Sequence, residues 1–199
     1  MVLFFAYSRE NLSHKLMFKH LRASPITYSQ YFIAKRHLGK SLAEQIPKHL
    51  LQNHHVIEIG PGKGRLTEFL AQLAKKLTAI EVDYNFWRKL KTKYKDSNNT
   101  RIICGDFMDF ELPDEEYVVV SNLPFFLSRA ILLKLLKAER RPQAIYVILQ
   151  KEQFDELERF AQKYKFSSKI IRRMRRADYE PMPKVESVYV EIVPNQSSL

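Results

Sequence analysis

The stretch Val56-Ile57-Glu58-Ile59-Gly60-Pro61-Gly62-Lys63-Gly64 decides how the rest of the chain is read. A β-rich run ends in a turn that holds three of the five glycines in the whole sequence, and Leu66 to Leu77 then places Leu66, Phe69, Leu70 and Leu73 on one helical face. Strand, glycine turn and helix in that order let the backbone approach a ligand and aim helix N-terminal amides at it. The spacing narrows the ligand. G-x-G-x-G departs from the G-x-G-x-x-G of dinucleotide folds, and no Gly-Lys-Ser/Thr ending makes a P-loop, so nicotinamide and ATP are both disfavoured.

Working outward, the same alternation continues. Upstream, Leu38, Leu42, Ile46 and Leu50 recur at helical spacing through Ala34–Leu51, and Pro47 predicts a kink or restart there. Downstream, strands are expected at Leu77–Val82, Thr100–Cys104, Tyr117–Ser121 and Ala144–Leu149. Helices are expected at Phe86–Tyr94, Leu127–Leu136 and Glu152–Lys163. Lys169–Arg176 and Ser187–Val193, with no helix between them, read as paired strands. The implied architecture is α/β, a mostly parallel sheet covered by helices on both faces and closed by an antiparallel hairpin.

Acids stand where this scaffold presents ligands. Glu81, at the end of the second strand, is placed to accept hydrogen bonds from both hydroxyls of a ribose, with Val82 beside it. Asp106, in Cys104-Gly105-Asp106-Phe107 after the third strand, is placed to accept from an adenine amino group. Each alone reads as a surface or capping acid; as an ordered set behind Gly60 and Gly62 they describe a pocket for S-adenosylmethionine. The fourth strand ends in Ser121-Asn122-Leu123-Pro124-Phe125-Phe126. An exocyclic amine is a weak nucleophile because its lone pair is delocalised into the ring, so its N–H groups must be held and its nitrogen aimed. The Asn122 side-chain oxygen and a carbonyl near Leu123 or Pro124 suit that task, Pro124 stiffens the turn and Phe125 offers a face to a purine. Catalysis of that kind is positioning and polar stabilisation, without metal or strong base.

Composition agrees with an anionic partner. The 199 residues, 45% apolar, suffice for one domain, and 33 Lys and Arg against 22 Asp and Glu give +11, which points to nucleic acid before anionic membrane. The excess is concentrated in residues 1–40 and 151–176. One cysteine excludes an internal disulfide, and Cys104 reads as a buried strand residue. No run approaches a membrane span and no basic secretory leader is seen, so a cytoplasmic monomer is expected. His54 and His55 read as loop residues and no metal site is expected; Tyr84 and Trp87 read as packing or cofactor-edge residues.

Taken together, the chain resembles the rRNA adenine N6-methyltransferases, the group of the Erm resistance enzymes and the KsgA-type dimethyltransferases. The resemblance rests on Ser29-Gln30-Tyr31-Phe32, Glu58 to Gly64, Glu81, Gly105-Asp106-Phe107, Asn122-Leu123-Pro124-Phe125, Gln150-Lys151-Glu152 and Pro183-Lys184-Val185-Glu186-Ser187. It implies a class I, Rossmann-like methyltransferase fold with a seven-stranded sheet. It also implies cofactor contacts from Gln30, Phe32, Gly60, Gly62, Glu81, Val82, Asp106, Phe107 and Asn122, and a target base held by Asn122, Leu123, Pro124 and Phe125. Phe125 and the Lys-Val-Glu-Ser ending look more like the Erm side, which implies an adenine of 23S rRNA and macrolide, lincosamide and streptogramin B resistance. The alternative is 16S rRNA dimethylation during ribosome assembly. A non-catalytic nucleic-acid-binding relative and a small-molecule or phospholipid methyltransferase are further rivals.

Two departures carry expectations of their own. Tyr31 stands where the family usually has Asn, which puts that contact in doubt. The family's helical C-terminal RNA-binding domain is expected to be absent or vestigial, leaving 29–199 as the catalytic domain behind a basic arm, 1–28. Lys35, Arg36, Arg172, Arg173, Arg175 and Arg176 are then the candidates for gripping RNA phosphate. The Arg run also suits a sheet edge protected by charge.

Overall fold

The computed structural model describes residues 31–195; the readings of 1–28 as a basic arm and of Gln30 as a cofactor contact lie outside them. In chain order the described strands are β1 (Phe32–Ile33), β2 (His55–Ile59), β3 (Lys76–Glu81), β4 (Thr100–Cys104), β5 (Tyr117–Asn122), β6 (Ala144–Gln150), β7 (Phe166–Met174), β8 (Tyr179–Glu180) and β9 (Ser187–Pro194). The helices are α1 (Arg36–Glu44), α2 (Lys48–Asn53), α3 (Thr67–Leu73), α4 (Tyr84–Lys93), α5 (Ser128–Leu136) and α6 (Phe154–Lys163). The main sheet has seven strands in the order β4-β3-β2-β5-β6-β9-β7. β4 through β6 are parallel, while β9 runs antiparallel to both of its neighbours. The sheet and its closing hairpin are those expected, with β9 inside and β7 at the edge.

Burial explains why these segments are strands. Every residue of β2 is buried, as are Tyr117–Ser121 of β5 and Ala144–Leu149 of β6. Such unbroken apolar runs are what central parallel strands need when both faces are covered. Val56 and Leu77 join Leu42 of α1 and Leu70 of α3 in one cluster, and Ile57, Val119 and Ile145, on the other face by alternation, are equally buried. Pro47 does restart the helix: α1 ends at Glu44 and Pro47 is the N-cap of α2.

Several boundaries and environments differ from expectation. α3 stops at Leu73 because the backbone turns extended at Ala74, so β3 begins at Lys76 inside the stretch read as helix. β7 starts earlier, at Phe166, and ends at Met174, which leaves Arg175 and Arg176 beyond the strand. Cys104 is exposed, not buried, being the last residue of an edge strand. His55 is no loop residue; it opens β2, buried, with Nε2 on the Thr78 hydroxyl (2.8 Å) and Nδ1 2.8 Å from Glu115. The two-stranded sheet of β1 and β8 was not foreseen, since strands this short leave no periodicity to read.

Candidate functional site

Parallel β2, β3, β4 and β5 present their carboxyl ends along one edge, with Ile59 paired to Ile80 and Ser121, and Glu81 paired to Cys104. The glycine turn leaves β2 at that edge. Gly62 has φ +52°, and a Cβ there would stand 2.8 Å from the Phe32 ring, so only glycine fits. Its N–H donates to Glu81 Oε2 (2.8 Å), and the Asp83 N–H donates to Oε1 (2.8 Å). Burial raises the Glu81 pKa and these amide bonds oppose it. A carboxylate offers about four acceptor positions, so two amides leave room for two ribose hydroxyls.

Beside it, Val82 is 48% exposed and offers apolar surface at the strand end. Asp106 caps a 3₁₀ turn, Phe107–Asp109, through the Met108 N–H (2.8 Å). Phe107 is buried beneath that turn. The Lys134 ammonium on α5 pins the same loop by donating to the carbonyls of Phe107 (2.8 Å), Met108 (3.0 Å) and Phe110 (2.6 Å). Phe32 packs on Phe86 at 5.2 Å and lies under the Lys63 ammonium, which also pairs with Glu180 of β8 at 3.0 Å.

The turn after β5 is held from three directions. The Leu123 N–H donates to the Ile148 carbonyl of β6 (3.2 Å). The Phe125 carbonyl accepts from Ser128 Oγ (2.8 Å) and Gln153 Nε2 (3.0 Å), with Gln153 Oε1 3.0 Å from Ser128 Oγ as an alternative acceptor for its one proton. Asn122 Nδ2 donates to the Tyr31 carbonyl at 2.7 Å. With its NH₂ so engaged, the amide keeps Oδ1 as its acceptor. The Pro124 carbonyl accepts from Leu127 N–H (2.9 Å), whereas among the described residues the Leu123 carbonyl takes no backbone bond. Leu123 therefore has the better claim to be the second acceptor.

A cavity of about 30 Å³ joins the two halves, lined by Phe32, Glu58, Gly60, Pro61 and Lys63 on one side and Asn122 on the other. Glu58 is buried with Oε2 unpartnered among the described residues. Burial pushes its pKa up to about 8, Thr67 acts the other way, and the nearby Glu81 carboxyl adds to the rise.

A family model described as ribosomal RNA adenine dimethylase matches residues 21–199. The chain belongs to that family. One relative, a ribosomal RNA small subunit methyltransferase A of Streptococcus thermophilus, is 30% identical over 168 residues, covering 74% of this chain and 58% of the relative. An rRNA adenine N-6-methyltransferase of Bacillus licheniformis is 34% identical over 149 residues, covering 69% of this chain and 51% of the relative. The chain spans roughly half to two thirds of the length of such curated relatives. The fold matches the solved 23S rRNA methyltransferase ErmE with a TM-score of 0.73 at 24% identity, covering 83% of this chain and 70% of that one. A dimethyladenosine transferase of Plasmodium falciparum gives 0.70 at 23% identity, covering 84% and 64%.

Against this dimethylase-family scaffold the basic candidates separate. Arg36 pairs with Glu68 (2.6 Å), Arg172 donates to Ser41 Oγ (3.1 Å), Arg175 meets Asp178 (3.3 Å) and Arg176 donates to the Pro183 carbonyl (2.7 Å). Lys35 and Arg173 are exposed. Four residues that shape the site carried no role in the sequence reading. Glu58 lay in the quoted motif, whereas Ser128, Lys134 and Gln153 act through backbone carbonyls brought near only by the fold and leave no sequence signal.

Proposed function

We propose that this chain is an S-adenosylmethionine-dependent ribosomal RNA adenine N6-methyltransferase. The observation that carries the reading is the Asn122 amide. Its donor end is tied to Tyr31, which leaves Oδ1 as its acceptor, and the residue lines one cavity with the glycine turn. The cofactor fits the residues present: Glu81 retains acceptor capacity for a ribose and Val82 offers apolar surface to a purine. Bound there, S-adenosylmethionine supplies an electrophilic methyl on a positively charged sulfur.

The chain's own residues then do the positioning. Asn122 Oδ1 and the Leu123 carbonyl accept the two N–H bonds of the adenine amine, which orients the nitrogen toward the glycine turn. Pro124 and the pinned Phe125 carbonyl keep the turn from yielding, and the Phe125 ring meets the purine face. An amide cannot take a proton, so the turn accelerates transfer through alignment and preorganised acceptors, effects worth several kcal/mol in suitable sites. An adenine inside folded RNA has to leave its stack to reach this edge, which favours an unpaired target.

Phe125 and the closing Lys-Val-Glu-Ser motif favour 23S rRNA as substrate, with drug resistance as the consequence. The small-subunit names of most of the relatives favour a second reading, 16S rRNA. Transfer of labelled methyl to purified 23S rRNA, 16S rRNA and a no-RNA control, with the nucleoside identified, tests both. N6-methyladenine in 23S alone supports the first, label in 16S alone the second, and no label in either overturns the proposal.

A further inference from the structure

We infer that Tyr31 is a positioning residue for the target base, holding the Asn122 amide through its carbonyl and the Phe125 ring through its own ring. This rests on the methyltransferase reading above. Tyr31 directly precedes β1, whose pairing with β8 sets Phe32 opposite Glu180 and Ile33 opposite Tyr179, and the Ala34 N–H donates to the Asp178 carbonyl at 2.9 Å. The backbone at Tyr31 is thereby anchored to a segment far along the chain. From that anchor its carbonyl accepts Asn122 Nδ2 at 2.7 Å, and its ring lies 5.4 Å from Phe125, centroid to centroid, at 38°.

The chemistry gives each contact a purpose. An amide rotated by half a turn would present NH₂ to the adenine amine, donor against donor, and the Tyr31 carbonyl removes that orientation. The Phe125 ring would otherwise be free to swing about its side-chain torsions. A tilted aromatic neighbour at this separation favours one setting of the ring. Both groups that meet the base therefore depend on one residue outside the motif that contains them.

The test compares the full-length chain with Tyr31→Ala, Tyr31→Phe, Phe125→Ala and the Tyr31→Ala/Phe125→Ala pair. It uses methyl transfer to whichever rRNA the wild type modifies, and calorimetry with S-adenosylmethionine. Tyr31→Ala should lower kcat about tenfold with cofactor Kd and RNA KM within about threefold, and Tyr31→Phe should restore most of kcat. In the Phe125→Ala background, removing Tyr31 should cost less than about twofold, because its ring has lost its partner. The Asn122 side-chain amide resonances, read by NMR without RNA, should stay dispersed in the wild type and in Tyr31→Ala alike, because the carbonyl that holds them belongs to the backbone and survives the substitution.

Unchanged kcat in Tyr31→Ala would overturn the inference, and so would Asn122 amide resonances already averaged in the wild type. So would a cofactor Kd that weakens as much as kcat falls, which would place Tyr31 in the cofactor pocket. A wild type that binds the cofactor yet labels no RNA would instead sink the functional reading on which the inference stands, whatever Tyr31 does.

Discussion

The two halves of the site are built differently. On the glycine-turn side, the contacts that shape the pocket are backbone amides acting on nearby acids: Asp83 on Glu81, Met108 on Asp106, and Gly62 on Glu81 from the adjacent strand. On the Asn122 side, the decisive groups are held by side chains and carbonyls from remote segments, Tyr31 before β1 and Gln153 after β6. The first half rests mainly on local turns and parallel pairing, with Phe32 of β1 and Lys134 of α5 as its remote braces. The second exists only when the small β1–β8 sheet, β5 and the β6–α6 junction have all been placed. On the function proposed above, binding a nucleoside draws mostly on local turns, while aiming an amine belongs to the assembled domain.

The sharpest way to break this division is to delete one group from each half. Asn122→Ala should lower single-turnover methyl transfer by about 10³-fold, in line with loss of a preorganised polar group at a reacting centre, with cofactor Kd within about threefold. Glu81→Ala should do the reverse. Loss of hydrogen bonds to a buried carboxylate, at about 1.5–3 kcal/mol, predicts a 10- to 100-fold weaker cofactor Kd and a kcat near wild type at saturating cofactor. Calorimetry paired with single-turnover kinetics reads both. If each variant lost binding and transfer equally, the halves would be one unit and the division would fail.

The same division explains what the sequence made legible. Gly60 to Gly64, Glu81 and Asp106 stand on successive strand ends, so strand periodicity alone places them on one edge, and a mostly parallel sheet follows from the same alternation, whereas its seven strands were implied by the family resemblance. Asn122 and Phe125 were legible as a motif, but what aims them was not. Tyr31 lies 91 residues from Asn122, and its contribution to that bond is a carbonyl, which every residue type possesses. Gln153 and Lys134 likewise act on carbonyls and leave no pattern. Cys104 went wrong for a related reason: its strand was correctly found, but strand order across the sheet, which makes β4 an edge, is a long-range property.

Glu58 sits where the halves meet and gives a smaller test, in stability. Its carboxyl has a pKa of about 8 in the fold against an ordinary 4.5. Between those values the folded chain keeps a proton that the unfolded chain has released, so stability falls as pH rises, by up to about 1.4 kcal/mol per unit, and levels off above the folded pKa. His55, whose pKa burial lowers, acts oppositely below its ordinary value of 6.5, so the difference between two proteins is the clean quantity. Glu58→Gln should flatten the fall in Tm between pH 5 and about 8, leaving His55 unchanged. Parallel Tm profiles for wild type and variant would show that Glu58 is not protonated in the fold.

The smallest expected effect concerns how RNA backbone is held beside the aiming half. Neutralising four arginines at once would confuse two kinds of residue, because Arg172, Arg175 and Arg176 already have partners within the chain while Arg173 is exposed on edge strand β7. The Arg175 guanidinium already shares its charge with the Asp178 carboxylate, whereas Arg173 is exposed on the strand, where its charge acts on Glu186. Arg173→Gln should therefore weaken RNA binding a few-fold at moderate salt and reduce the slope of log K against log salt by about 1. Arg175→Gln should leave the slope within error and lower Tm slightly through loss of the Asp178 contact. Salt titrations of both variants decide it: a slope that drops for Arg175 but not for Arg173 would mean the internal pairs open on RNA binding, and the whole loop after β7 would then belong to the RNA surface.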